Sequence, residues 1–182
     1  MIETGQVLAA QLALFQALLL LVSALHKAAT WRRSLEVMRQ FGGVPGSLAG
    51  PALAAVVMAE VIASLLLLVP TYRAAGAAAA AGLWSVYLGF ILRAILQDRR
   101  DLDCGCSFGF AARSSSRPLG AFQLTRHAVL AVMAVGIAGI SAAAGAVSVE
   151  PSYVLGGVAL LALYGALDQV MALQPLRSGE VL

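Results

Sequence analysis

Residues 51–92 read PALAAVVMAEVIASLLLLVPTYRAAGAAAAAGLWSVYLGFIL, two apolar runs (51–69 and 74–92) joined by the four-residue link 70–73. Each run is close to the roughly 20 residues that a helix needs to cross a bilayer. A link this short places consecutive helices side by side and antiparallel. The stretch therefore predicts a transmembrane helical hairpin. The Ala-Gly repeats that open the second run suit close contact between helices.

Three further apolar runs, 7–25, 128–147 and 153–173, are of similar length. The 182 residues are 60% hydrophobic and 12% charged, against about 25% charged residues in an ordinary soluble domain. The sequence predicts an all-α, polytopic transmembrane helix bundle that forms a single integral membrane domain over 1–182. Between the first two spans, segment 30–41 is either a short helix at the membrane surface or a solvated loop.

The positive charges are distributed unevenly. Five spans place loops 26–50 and 93–127 and the C-terminus on one side, with 11 of the 12 Lys and Arg residues; only Arg73 lies opposite. The positive-inside rule predicts a multi-pass protein of the cytoplasmic membrane with its N-terminus outside and its C-terminus inside. The net charge of +3 reflects this asymmetry, so we expect membrane lipid and no nucleic acid as a partner.

The only two cysteines, Cys104 and Cys106, lie in RRDLDCGCSFGF, residues 99–110. A metal site usually has three or four protein ligands, and only His26 and His127 could join the two sulfurs, so no metal is expected. Two incidental small residues would be more typical of an apolar helix than of a charged loop. A redox couple is the third interpretation, and the one we favour.

A redox couple requires that the two thiols can meet. Gly105 allows the turn that brings the Cα atoms of Cys104 and Cys106 within the roughly 7 Å that a disulfide tolerates. A ring this small is strained, and strained disulfides are more easily reduced. Nearby cations favour a thiolate and nearby carboxylates oppose it. The cations are Arg93, Arg99, Arg100, Arg126 and His127; the carboxylates are Asp98, Asp101 and Asp103.

Glu60 is the tenth residue of the run 51–69 and lies near the middle of the membrane. Ionisable groups at that depth are costly and usually face the interior of the bundle. Glu60 is either a protonated acid bonded to a neighbouring helix, or a proton acceptor or ion-pair partner that accompanies thiol chemistry.

Other charged residues lie at helix ends on the cysteine side. Because the spans alternate in direction, we expect Lys27, Arg93, Arg126, His127 and Asp168 to lie near the cysteine loop, with Asp168 paired to Arg93 or Arg126. Lys27 and Arg93 could instead extend to the lipid headgroups. His127 is either a proton shuttle or an interfacial residue without a special role.

Four stretches together resemble the MauE family, the methylamine-utilisation membrane proteins related to the DoxX-like four-helix group. They are SALHKAATWRR at 23–33, PALAAVVMAEVIASLLLLVP at 51–70, DCGCSFG at 103–109 and LTRHAVLAVMA at 124–134. The resemblance covers about 7–145. It implies a DoxX-like four-helix core, to which this chain adds a fifth, C-terminal helix. Ser107 interrupts the family's Cys-Gly-Cys-Phe-Gly motif, and His127 stands where asparagine is expected.

The resemblance implies a thiol-disulfide carrier, because such proteins are implicated in maturing a periplasmic, disulfide-rich amine dehydrogenase with a thioredoxin-like partner. We expect Cys104 and Cys106 to exchange electrons with such a partner, supported by Glu60, Lys27 and Arg126. No cofactor is needed for this exchange, and whether the protein is an enzyme, a thiol-disulfide oxidoreductase, stays open. The alternatives are a quinone-linked thiol oxidase and a non-redox assembly factor or small-molecule carrier that uses Glu60.

The charge pattern and the resemblance disagree about the side of the cysteines. A periplasmic partner needs them accessible from outside, whereas the positive-inside rule places them near the cytoplasm. The pair could be exposed alternately to each side, its loop could fold back into the bundle, or the orientation could be reversed.

Overall fold

The computed structural model describes residues 2–40, 45–98, 120–144 and 150–173. Within these ranges the chain forms six α-helices and one 3₁₀ turn, Pro70–Tyr72. The helices are α1 (Ile2–Ala29), α2 (Trp31–Gln40), α3 (Ala49–Leu68), α4 (Arg73–Leu96), α5 (Ala121–Ala144) and α6 (Pro151–Leu173). No strand occurs among the described residues.

Five helices, α1 and α3 to α6, are long and apolar enough to cross a bilayer, which confirms the predicted fold class. The helix of the fourth span begins at Ala121, ahead of the apolar run predicted at 128–147. Its first two turns carry Gln123, Arg126 and His127, which interrupt the apolar pattern. These polar residues can extend the helix because Arg126 and His127 form bonds inside the protein. Residues 145–149, which include the predicted end, lie outside the described residues.

Helices α1, α3, α4 and α5 form a ring, in which each helix packs against the next and α5 returns to α1. Helix α6 packs on the outside of α1. This arrangement is the four-helix core with an added C-terminal helix that the family resemblance implies. Lipid tails are as apolar as leucine, so the helices associate through close van der Waals contact. Small residues accordingly fill the core, among them Ala17, Ala63, Ala77, Ala80 and Ala134.

The hairpin of α3 and α4 has the closest backbone approach. A Cβ added at Gly76 would lie 2.5 Å from the backbone nitrogen of Leu67 and 2.7 Å from the carbonyl carbon of Leu66. Only glycine fits such a contact without displacing the backbone. The tight hairpin predicted from the link 70–73 is therefore present, and it fixes α4 against α3.

Helix α2 resolves the two interpretations of segment 30–41 in favour of a helix. None of its residues is buried. Leu35, Val37 and Met38 are half-buried, whereas Arg32 and Arg39 are exposed. One face is therefore apolar and the other charged, as in helices that lie along a membrane surface.

Candidate functional site

Glu60 and Lys27 meet inside the helical ring. Two hydrogen bonds, Ser23 to Glu60 and Ser64 to the carbonyl of Ala17, show that α1 and α3 run antiparallel. Side chains on a helix tilt toward its N-terminus, so Lys27 on α1 and Glu60 on α3 lean toward each other. The Lys27 Nζ lies 2.7 Å from the Glu60 Oε1. Lys27 is 8% exposed and Glu60 is 0% exposed, so Lys27 does not extend to the headgroups.

We call Ser23, Lys27, Glu60 and Tyr87 the Glu60 cluster. Three groups donate hydrogen bonds to the same carboxylate oxygen, Glu60 Oε1: the Ser23 hydroxyl at 2.9 Å, Lys27 Nζ at 2.7 Å and the Tyr87 hydroxyl at 2.6 Å. Lys27 also donates to Ser23 Oγ at 2.5 Å and lies 5.3 Å from the centre of the Tyr87 ring, within range of a cation–π contact. The other oxygen, Glu60 Oε2, is buried and has no hydrogen-bond partner among the described residues.

Aromatic rings and His127 extend this cluster toward α5. The His127 ring lies edge-on to Trp84 and Tyr87, at 5.8 and 6.2 Å between ring centres. Its Nδ1 lies 2.8 Å from the carbonyl oxygen of Gln123. A carbonyl oxygen only accepts hydrogen bonds, so Nδ1 is the donor. His127 is 1% exposed, and its Nε2 is buried without a hydrogen-bond partner among the described residues.

Gln16 joins three helices beside this site. Trp84 Nε1 on α4 donates to Gln16 Oε1 at 2.7 Å, and Gln16 Nε2 donates to the carbonyl oxygen of Leu130 on α5 at 2.9 Å. Gln16 is 0% exposed. Because its amide oxygen and nitrogen both have partners, it holds α1, α4 and α5 in register around the Glu60 cluster.

A second ion pair connects α5 and α6. Arg126 Nη1 lies 2.7 Å from Asp168 Oδ1, and the two side chains are 10% and 12% exposed. Arg126 Nε also donates to the Tyr164 hydroxyl, and the guanidinium carbon lies 4.4 Å from the centre of the Tyr164 ring. We call Arg126, Tyr164 and Asp168 the lateral cluster. Of the two partners predicted for Asp168, Arg126 is the one observed.

The predicted supporting residues thus lie in different surroundings. Lys27, Glu60 and His127 face the interior of the ring, Arg126 and Asp168 lie between α5 and α6, and Arg93 is exposed. Arg126 and His127 are neighbours in sequence, but a helix turns about 100° per residue, so they contact different partners. Cys104, Gly105 and Cys106 lie outside the described residues. No group of three or more potential metal ligands occurs in the part of the chain that the structure describes.

Three residues of the site, Ser23, Tyr87 and Tyr164, were not predicted from the sequence. Spacing was the available signal, since helix residues three or four apart share a face. Ser23 precedes Lys27 by four residues, and Tyr164 precedes Asp168 by four. Tyr87 follows Trp84 by three, and both rings contact His127.

Comparison with known proteins agrees with this architecture. The family described as methylamine utilisation protein MauE matches residues 5–140. The chain belongs to the MauE family. The matched range contains all of α2, α3 and α4 and most of α1 and α5, and hence the whole Glu60 cluster and His127. Helix α6, which carries Tyr164 and Asp168, lies beyond it.

A curated relative supports the same assignment. This MauE-family chain is 28% identical over 157 residues to the methylamine utilization protein MauE of Methylophilus methylotrophus. The alignment covers 85% of this chain and 81% of that protein. No solved structure matches the chain.

Proposed function

We propose that the protein is a membrane thiol-disulfide carrier that supports the maturation of an extracytoplasmic protein, as part of methylamine utilisation. Cys104 and Cys106 alternate between dithiol and disulfide and exchange electrons with a thioredoxin-like partner. The observation that carries the proposal is the Glu60 cluster, which buries one carboxylate in a chain whose only two cysteines form a Cys-Gly-Cys pair. The family membership supports the pathway.

In the exchange, the two cysteines lose two electrons and two protons as their S–S bond forms, and the partner's disulfide gains both as it becomes a dithiol. The Glu60 cluster supports this chemistry because a buried carboxylate can hold a proton during the transfer. Glu60 Oε1 accepts from Ser23, Lys27 and Tyr87, whereas Oε2 has no hydrogen-bond partner among the described residues. A proton on Oε2 would leave all three donors in place. We therefore assign proton uptake to Oε2, with Lys27 balancing the charge of the carboxylate.

The remaining predicted residues have supporting roles in this proposal. Gly105 allows the turn between the cysteines. In neutral His127 the Nδ1 donates to a backbone carbonyl oxygen, so Nε2 is an acceptor, and it is buried without a partner among the described residues. We assign to this nitrogen the role of a proton acceptor. Arg126 and Asp168 hold α6 against the side of the ring, and Arg93 adds a positive charge at the end of α4.

Capture of a mixed disulfide between this protein and its partner tests the proposal. In the Cys106→Ser variant a mixed disulfide through Cys104 should accumulate with a thioredoxin-like protein. It should appear on a non-reducing gel and disappear on reduction. The Cys104→Ser/Cys106→Ser chain is the matched control and should trap nothing. The proposal fails if neither single variant traps a partner and the double variant keeps full activity.

The non-redox alternative makes the opposite prediction. An assembly factor or carrier that uses Glu60 would tolerate loss of both cysteines but not Glu60→Gln. Maturation of the extracytoplasmic protein, measured in cells that carry Cys104→Ser/Cys106→Ser or Glu60→Gln, distinguishes the redox hypothesis from the non-redox one.

We infer from the positive-inside rule that the N-terminus is outside and the C-terminus inside. The loop between α4 and α5 then begins on the cytoplasmic side. A membrane-impermeant thiol reagent added to intact cells should leave Cys104 and Cys106 unlabelled unless the cells are opened. Labelling in intact cells would show that the pair is accessible from outside.

A further inference from the structure

Helix α2 carries charged side chains that belong to neither the Glu60 cluster nor the lateral cluster. Its three arginines, Arg32, Arg33 and Arg39, are all exposed. Its one acidic residue is Glu36, whose Oε2 lies 3.9 Å from Arg39 Nη1 and whose Oε1 accepts a hydrogen bond from Gln40. The negative charge therefore lies beside the C-terminal end of α2, and the N-terminal end has an excess of positive charge.

Helix α2 is attached to the end of a membrane span. Only Thr30 separates it from α1. The Thr30 hydroxyl donates to the carbonyl oxygen of His26 at 2.7 Å, and the Ser34 hydroxyl donates to the carbonyl oxygen of Lys27 at 3.5 Å. These bonds hold the first turn of α2 against the last turn of α1, so α2 stays close to the end of that span.

Exposed leucines show how far the lipid extends at this end of the bundle. Leu25, near the end of α1, is 60% exposed, and Leu48, directly before α3, is 54% exposed. Arg32 follows Leu25 by seven residues, a rise of at most about 10 Å along a helix. The headgroup layer on each side of the hydrocarbon core is about 5–7 Å thick. The arginines of α2 therefore lie at the level of the headgroups.

The apolar face of α2 suits the same level. Trp31 is 37% exposed, and tryptophan is enriched where a membrane meets water, with its ring among the headgroups. Leu35 and Met38 follow Trp31 by four and seven residues, so they share its face, and both are half-buried. Helix α2 packs on α3 and α1. Its apolar face is thereby held at the bundle and its arginines remain accessible.

Position and charge together identify the ligand. A guanidinium binds a phosphate through paired hydrogen bonds. The phosphate of phosphatidylglycerol keeps its negative charge, whereas the choline of phosphatidylcholine cancels it. Such headgroups surround α2 already, but a soluble acidic protein would lose its translational freedom on docking. An anionic lipid is therefore favoured over an acidic protein.

We propose that α2 binds the headgroups of anionic phospholipids through Arg32, Arg33 and Arg39. Trp31 anchors the helix beside them in the interface. The contact uses neither the cysteines nor the Glu60 cluster, so this inference is independent of the proposed function.

Fluorescence quenching of the full chain in nanodiscs tests the proposal. The two tryptophans are Trp31 and Trp84, and Trp84 is 3% exposed, so Trp31 reports on lipid at α2 and Trp31→Phe gives the background. The nanodiscs mix phosphatidylglycerol and phosphatidylcholine, and one of the two carries bromine on the acyl carbons nearest the headgroup. The preference is the ratio of the brominated-lipid fractions that quench Trp31 by half.

The wild type should prefer phosphatidylglycerol, and Arg32→Gln should lower the preference by about fivefold. The matched control is Arg93→Gln, an exposed arginine at the end of α4, which should leave it unchanged. Glu36→Gln removes the negative charge of α2 and should raise the preference. Salt at about 1 M should abolish the preference of the wild type by screening the charges, and this measurement needs no variant to fold.

Equal quenching by the two brominated lipids in the wild type would overturn the proposal. So would a preference that survives high salt, or one that persists in folded Arg32→Gln/Arg33→Gln/Arg39→Gln. If the wild type shows no preference and the triple variant exchanges thiols more slowly with a soluble partner, the arginines bind an acidic protein and the lipid proposal is wrong.

Discussion

The Glu60 cluster and the lateral cluster each contain an ion pair with an N–O distance of 2.7 Å, but their surroundings differ. Lys27 and Glu60 lie inside a closed ring, and groups from α1 and α4 converge on one carboxylate oxygen. Arg126 and Asp168 connect α5 and α6 at the side of the ring, where no described Cα atom of one helix lies within 8 Å of the other. The N–O distance of an ion pair therefore does not indicate its role.

The difference indicates different roles. The partners of a buried pair inside a packed ring depend on each other, because removal of one leaves the other as an uncompensated buried charge. The outer pair joins two membrane spans at the side of the ring, and Arg126 has Tyr164 as a second partner. We therefore assign the inner pair to holding the ring together and, in the proposed function, to accepting a proton, and the outer pair to holding α6 on the ring.

Removal of the inner carboxylate should have the largest effect. Glu60→Ala leaves Lys27 charged and unpaired, and we expect a loss of about 3–5 kcal/mol in the free energy of unfolding. Thermal unfolding in detergent measures it. The control is Glu36→Ala, which removes an exposed carboxylate 3.9 Å from Arg39 and should change stability by less than about 1 kcal/mol.

A double variant sharpens this comparison. Lys27→Met/Glu60→Leu replaces the inner pair by apolar side chains and should recover most of the loss, since such replacements are often neutral. A Glu60→Ala variant as stable as Glu36→Ala would contradict the role of the inner pair.

Removal of the outer carboxylate should cost less. In Asp168→Ala, Arg126 keeps its bond to Tyr164, so we expect a loss of about 1.5–3 kcal/mol in the free energy of unfolding, typical of a hydrogen bond to a charged group. The same unfolding measurement applies. A loss equal to that of Glu60→Ala would show that the two pairs are equivalent and that the distinction between them is wrong.

The smallest of these effects should come from the tyrosine hydroxyl of the Glu60 cluster. Tyr87→Phe removes one of three donors to Glu60 Oε1, and interhelical hydrogen bonds in membranes contribute about 0.6 kcal/mol on average, up to about 1.7. The matched control is Tyr72→Phe, whose ring is 58% exposed. If both variants are equally stable, the Tyr87 hydroxyl does not stabilise the Glu60 cluster.

The spans and the pairings were predictable to different degrees. Apolar length is a local property, so hydropathy alone identified the five spans and the hairpin at 70–73. The rotation of each helix is set by its neighbours, and for this reason the sequence could not show that Arg126 and His127 contact different helices. The sequence indicated Glu60 and Lys27 as separate candidate residues, but it did not show that they form an ion pair.

Residues of ordinary type were the hardest to predict. Tyr87 and Tyr164 are typical of packing or interfacial positions, and only their spacing from Trp84 and Asp168 distinguishes them from Tyr72 or Tyr153. Only the three-dimensional arrangement places the Tyr87 hydroxyl 2.6 Å from Glu60 Oε1. The roles of Cys104 and Cys106 stay predictions, because these residues lie outside the described ranges.

The rate of thiol-disulfide exchange tests the central claim most directly. Purified protein is oxidised, mixed with a reduced thioredoxin-like protein, quenched with acid and alkylated, and the free thiols at Cys104 and Cys106 are counted by mass spectrometry. The account predicts exchange in the wild type and in Glu36→Gln, and slowing of at least about 100-fold in Glu60→Gln, the low end for loss of a general acid–base group. Equal rates in Glu60→Gln and Glu36→Gln, or no disulfide between Cys104 and Cys106, would contradict it.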